Sequence, residues 1–195
     1  MANQATTLYR ISGTHKAVSE FWNTLQSMEV NSKDIWLNTL AEKFCIDYEA
    51  KQICVRGHIY WAEYEEDYAN EYYLLSIETE SAWDACNDLF EEINHHFNDE
   101  LSISWRVCEC GCEVYYVHDE ENHFPEEACV SSSGEPFEDA YDDIYDTVAD
   151  AIKEWCSKMN IDQGERTDEE MMDFINDYKY ESEDTYFYIH TFVFE

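Results

Sequence analysis

Ile59-Tyr-Trp-Ala-Glu-Tyr64 and Glu71-Tyr-Tyr-Leu-Leu-Ser-Ile77 flank the polar run Glu65-Glu-Asp-Tyr-Ala-Asn70. Two aromatic-rich segments around a polar loop read as a β-hairpin. Toward the N-terminus, residues 7–12 read as a short strand and Thr14 as a helix N-cap. Val18, Phe21, Trp22, Leu25 and Met28 come next at spacings of three and four, the stripe of a core-facing helix. Ser32 then caps a second helix carrying Trp36, Leu37, Leu40, Ala41 and Phe44 on one side. Toward the C-terminus, Ser81-Ala-Trp-Asp84 has the form of a capping box, opening a helix with Cys86, Leu89, Phe90, Ile93 and Phe97 inward. Strands at 101–107 and 113–117 meet around Gly111.

Beyond this lies a stretch of different character. Ser131-Ser-Ser-Gly134 reads as a loop, with Pro136 starting the next element. Tyr141, Ile144, Val148, Ile152, Trp155 and Met159 form the apolar stripe of a long helix over 138–159. Gly164 breaks the chain, Thr167-Asp-Glu-Glu170 forms another capping box, and Met171, Phe174, Ile175 and Tyr178 continue a helix. Residues 186–194 form a last strand, apolar on both faces and so expected to be covered on both. The order is β-α-(α)-β-β-α-β-β, then α-α-β. The expected class is α+β: a ferredoxin-like split β-α-β antiparallel sheet over residues 1–130. An acidic α-α-β extension, helical with a final strand, spans 131–195 and packs on the same core.

The chain has 195 residues, 45 acidic against 11 Lys and Arg, for a net charge of −34. The charge is unevenly placed. Arg10, Lys16, Lys33, Lys43, Lys51 and Arg56 balance Glu20, Glu29, Asp34, Glu42, Asp47 and Glu49, so the whole excess lies after residue 57. Such a field repels nucleic acid and anionic membrane, and attracts basic surfaces. Apolar residues at 45% and aromatics at 16% still allow a core. The sequence has no run of about 18 apolar residues and no basic-then-apolar start, so the expected location is the cytoplasm. Eight cysteines in a chain of this length then read as reduced thiols.

Arg56-Gly57-His58-Ile59, Glu80-Ser81-Ala82-Trp83, Glu109-Cys-Gly111, Val117-His-Asp119 and Phe124-Pro125-Glu126 resemble the YubB-type ferredoxin-like family of plasmid, phage and integrative-element proteins. The resemblance covers roughly residues 7–130. It implies a small α+β fold and a mobile-element origin. It implies no activity and carries over no catalytic residue.

On a helix over 138–159, Asp139, Asp142, Asp143, Asp146, Asp150 and Glu154 recur at three or four residues, on the face opposite the apolar stripe. Like charges at that spacing each oppose the helix by about 0.2–0.5 kcal/mol. The ridge imitates a phosphate row, although duplex DNA carries a charge every ~1.7 Å of axis, so several elements must contribute. Glu63, Glu65, Glu66, Asp67 and Glu71 on the hairpin supply a second group, and Asp168, Glu169, Glu170, Asp173 and Asp177 a third. Against this, acids at a helix start and Lys153 and Lys158 near its end also suit the helix dipole, and a charge run is commonly a solvated face.

Cys108, Cys110 and Cys112 alternate as three thiols on one strand face would, with His118 or His123 as a fourth zinc ligand. Gly111 interrupts that alternation, and free thiols are the reading adopted, with no metal or cofactor. His95 and His96 point about 100° apart on a helix and form no metal face. His190 sits in an apolar strand as a core residue. The sequence has no phosphate-binding glycine loop, dinucleotide fingerprint, Gly-x-Ser-x-Gly or His-Glu-x-x-His motif.

The expected function is therefore non-enzymatic. The protein is read as a DNA mimic of anti-restriction or anti-CRISPR type that occludes the basic nucleic-acid groove of a host restriction or RNA-guided nuclease. It contacts no nucleic acid or membrane itself. The alternative is an accessory or structural protein of a mobile element whose acids serve only solubility.

Overall fold

The computed structural model describes residues 3–28, 34–125 and 127–194. Ser32 and Glu126 lie outside them. Two compact units divide the chain: Met1–Val114 with His118–His123, and Tyr115–Val117 with Phe124–Glu195.

In the first unit, β1 (Gln4–Gly13) pairs antiparallel with both β4 (Tyr72–Ala82) and β5 (Leu101–Glu109). β3 (Gly57–Asp67) pairs with β4, and the two-residue β2 (Ile35–Trp36) pairs with β3. Helix α1 (His15–Met28) begins where Thr14 Oγ1 accepts the Ala17 N–H at 3.3 Å. Its Ala17, Val18, Phe21 and Leu25 are buried with Leu37, Leu40 and Ala41 of α2 (Leu37–Lys43). Leu89, Phe90 and Ile93 of α4 (Asn87–His96) complete that core, and Tyr9 stacks on Phe90 at 3.9 Å. The short α3 (Tyr48–Lys51) is capped by Asp47. Gly57 allows a close strand contact, since a Cβ there would sit 2.5 Å from the Glu80 carbonyl oxygen.

The second unit has its own three-stranded sheet, ordered β8 (Ala140–Tyr145), β7 (Ala128–Ser133), β9 (Tyr186–Thr191), all antiparallel. Helices α5 (Val148–Met159) and α6 (Asp168–Asn176) bury Ala151, Ile152, Trp155, Met171 and Ile175 with Val130, Phe187 and Ile189. Trp155 Nε1 donates to the Tyr180 hydroxyl at 2.7 Å. The Thr167 capping box is present with both reciprocal bonds: the Glu170 N–H donates to Thr167 Oγ1 and the Thr167 N–H donates to Glu170 Oε2.

The expected ferredoxin-like architecture is overturned. The main sheet has seven strands, β10-β6-β5-β1-β4-β3-β2, and is mixed, because β10 (Val193–Phe194) runs parallel to β6 (Val114–His118). The extension holds more than the expected two helices and a final strand, since it carries most of a second, three-stranded sheet.

Several local readings also change. Ser81 stays in β4, opposite Gly57 and Ala5, and its hydroxyl donates to the Asp84 carbonyl at 2.7 Å instead of capping a helix. Trp83 takes φ +78°, so α4 starts only at Asn87. Trp36 is 58% exposed and precedes α2 rather than joining its buried face. Ser131 and Ser132 are buried strand residues of β7, the Ser132 hydroxyl donating to the Glu138 carbonyl at 2.8 Å. β9 is fully covered on one face, where Phe187 and Ile189 are buried, and only partly on the other, where Tyr188 is 43% exposed and His190 half-buried.

Candidate functional site: the acidic elements

The long helix over 138–159 does not form. Its first half is the strand β8, and α5 begins at Val148. The cause lies in the acids themselves. A helix through this stretch would stack Asp142 and Asp143 on Asp146, and Asp146 on Asp150, each pair costing about 0.2–0.5 kcal/mol. Tyr141, Ile144 and Tyr145 favour a strand, and pairing with β7 satisfies the backbone. Thr147 then caps α5, its hydroxyl accepting the Asp150 N–H at 3.1 Å.

The six expected ridge residues are all exposed, but they do not lie on one helical face. Asp143 is paired with Val130, and Tyr145 with Ala128, so both project from the side of the sheet that carries the buried cluster. Asp142, next along the strand, projects from the other side. Asp139 accepts the Ser133 hydroxyl at 2.6 Å. The Asp150 carboxylate accepts the Thr147 hydroxyl at 2.8 Å. Glu154 of α5 meets Asp143 around Tyr145. Burial, then the Glu154 carboxylate that accepts its hydroxyl, then Asp143 push the Tyr145 phenol up to about 12. Asp143 and Glu154 are thus the two ridge acids that gather at one point. Asp146 is exposed in the turn between β8 and α5.

On the hairpin the alternation of β3 splits the second group. Glu63, Glu65 and Asp67 share one face, while Glu66 lies on the other with Tyr64. Asp67 closes the turn: it accepts the Asn70 side-chain amide at 2.7 Å and the Ala69 N–H at 2.9 Å, and these bonds hold its carboxyl below the usual range. Glu66 accepts the Tyr68 hydroxyl at 3.0 Å. Glu63, Glu65 and Glu71 are exposed. With the third group, the α6 acids Asp168, Glu169, Glu170 and Asp173 are exposed too.

β8 is an edge strand, and β3 beyond Ile59 has no paired neighbour on its outer side among the described residues. Both edges therefore carry their densest acids where a further strand would otherwise add.

Cys108 is buried near the end of β5, whereas Cys110 and Cys112 lie in the following turn, so the three thiols do not share a strand face. Cys112 Sγ accepts the Asn3 side-chain amide at 3.3 Å. Among the described residues no group of three or more His, Cys, Asp and Glu is placed to hold a metal. His95 pairs with Asp99 at 2.6 Å. His190 stacks flat on Tyr115 at 4.2 Å.

Sequence reading missed a cluster in the first unit. A cavity of 550 Å³ is lined by Trp36, Arg56, His58 and Glu80 among others. Trp36 lies 5.4 Å from the His58 ring, and His58 Nε2 lies 3.8 Å from both Asp34 and Glu80. Placing Trp36 on a helix stripe hid this; its neighbour Ile35 is the buried one. Among the described residues no helix is long and apolar enough to cross a membrane.

Comparison with known proteins finds no family model, curated protein or solved structure that matches the chain.

Proposed function

We propose that this protein is a non-catalytic cytoplasmic inhibitor that occupies the basic nucleic-acid groove of another protein, with a restriction complex or RNA-guided nuclease as the target class. One observation carries the reading. Even if all 11 basic side chains paired one-to-one, 34 carboxylates would lack a Lys or Arg partner, and that excess lies after residue 57. Uncompensated charge disfavours the compact state by self-repulsion, so its retention calls for an external cationic surface. Asp142, Asp143, Asp146 and Glu154 in the second unit, and Glu63 and Glu65 in the first, are the exposed acids proposed to meet Arg and Lys. Asp139, Asp150, Glu154, Glu66 and Asp67 also accept local bonds. The mobile-element resemblance of residues 7–130 points to the same target class.

The test is displacement of fluorescent duplex DNA from purified restriction complexes and RNA-guided nucleases, read by anisotropy. Displacement is expected at about 50 mM salt and a steep loss by about 200 mM, as for phosphate contacts. No displacement from any of them at low salt and excess protein refutes the proposal.

A second reading is favoured by the edge placement of the acids. Charges on edge strands block strand addition and aggregation. Under it, Asp142→Asn with Asp143→Asn causes self-association and leaves displacement unchanged. Under the inhibitor reading the same variant weakens displacement.

A further inference from the structure

The second unit contains a cavity of 380 Å³ that the acidic surfaces do not account for. Val117, Phe124, Phe192 and Phe194 form its apolar walls, and Glu127 and Asp168 stand at it as carboxylates. Its volume lies within the range of small-ligand sites. Phe194 is 71% exposed, a large apolar side chain left facing outward. Thr147, Val148 and Ala149, the cap and first turn of α5, complete the lining with Thr191.

We infer that this cavity is an anchor site for an arginine side chain of a protein partner, its guanidinium between the phenylalanine rings and the two carboxylates. Aromatic faces attract cations through the ring quadrupole, and a planar guanidinium also stacks on them. Two carboxylates supply the acceptors that a five-donor fork needs. The first turn of α5 opposes a cation with about half a positive charge, against two full negative ones. The N–H groups of Val148 and Ala149, the first two residues of α5, have no acceptor within that helix, and the partner's backbone carbonyl beside that arginine is the acceptor proposed for them. A free anion is disfavoured by Glu127 and Asp168. A purely apolar ligand makes no use of either carboxylate. The arginine specificity stands on the cavity alone; that its bearer is a protein rests on the proposed inhibitor function.

The experiment uses the full chain, labelled with ¹⁵N, titrated with acetyl-arginine-amide and separately with the neutral isostere acetyl-citrulline-amide. Amide shifts at Val148, Ala149 and Thr191 are read. Arginine is expected to shift these signals and to bind about tenfold or more tightly than citrulline. Glu127→Gln with Asp168→Asn is expected to remove that preference. Phe194→Ala, at an exposed position, is expected to weaken arginine binding severalfold without changing the rest of the spectrum. Equal binding of the two amides, or no shift at these residues, overturns the site. Because no partner is present, this can fail while DNA displacement succeeds, and the reverse.

Discussion

Asp150 and the pair Asp143 and Asp146 lie within eight residues, yet reversing their charge should have opposite consequences. Asp150 occupies the first turn of α5, where its carboxylate accepts the Thr147 hydroxyl at 2.8 Å while Thr147 accepts the Asp150 N–H. An acid in the first turn gains about 0.3–1 kcal/mol from the helix dipole, and a lysine loses a similar amount. With the lost hydrogen bond, Asp150→Lys should cost about 1–2 kcal/mol. For a chain of this size that lowers Tm by about 3–6 °C. Asp143→Lys with Asp146→Lys touches an edge strand and a turn, and should stay within about 0.5 kcal/mol of the parent. Its effect belongs to binding. Each exposed ion pair is worth about 0.2–1 kcal/mol, and reversal replaces attraction by repulsion of similar size. Two reversals should then weaken DNA displacement by roughly 4- to 900-fold at low salt, and less at high salt. Thermal melts followed by circular dichroism measure the first quantity and anisotropy competition the second. If the double variant melts as early as Asp150→Lys, or displaces DNA within twofold of the parent, the division of these acids between folding and binding is wrong.

Three further outcomes are expected. Asn176→Ala strands the N–H and carbonyl of the buried Ile189, bonded now to the Asn176 side chain at 2.8 and 2.9 Å, and should cost about 2–4 kcal/mol in urea unfolding; less than 0.5 would refute this. Burial, with neighbouring carboxylates, pushes the phenols of Tyr64 and Tyr145 from 10 up to about 12. Their folded pKa values are raised, so their contribution to stability is complete below pH 10 and is lost between pH 10 and about 12; a melting series flat across that window contradicts it. Burial and the neighbouring Cys54 likewise push the Cys86 thiol up to about 12, so mass spectrometry after iodoacetamide at pH 8 should find Cys45 and Cys112 alkylated well before Cys86.

Helices whose apolar residues fall at three and four were legible. Val18, Phe21 and Leu25, and Leu89, Phe90 and Ile93, are buried as their spacing implies. The Thr167 box was legible because both partners are local. The stretch 138–147 was not, because Tyr141 and Ile144 fall in period with the true helical stripe of Val148 and Ile152 by coincidence while β7, the strand that pairs with β8, is distant in kind: its serines read as loop. The turn at Trp83 was hidden for another reason, since an aromatic residue at positive φ leaves no sequence mark. For the candidate site, the identity of the acids could be read and their grouping could not. Alternation along β8 and β3 sends neighbours to opposite faces, and which face each takes depends on register.

Asn94 and Asn176 share one device. Each lies near the end of a helix, and its amide both gives to and takes from the backbone of a later strand: Asn94 with Leu101 at 2.9 and 3.0 Å, Asn176 with Ile189 at 2.9 and 2.8 Å. A carboxamide reproduces the donor and acceptor of a peptide group. Each strand therefore gains a surrogate neighbour from a helix side chain. The clasp joins residues 7 apart in sequence in one case and 13 apart in the other, so loops between these elements can be lengthened or grafted with the docking of the strand preserved.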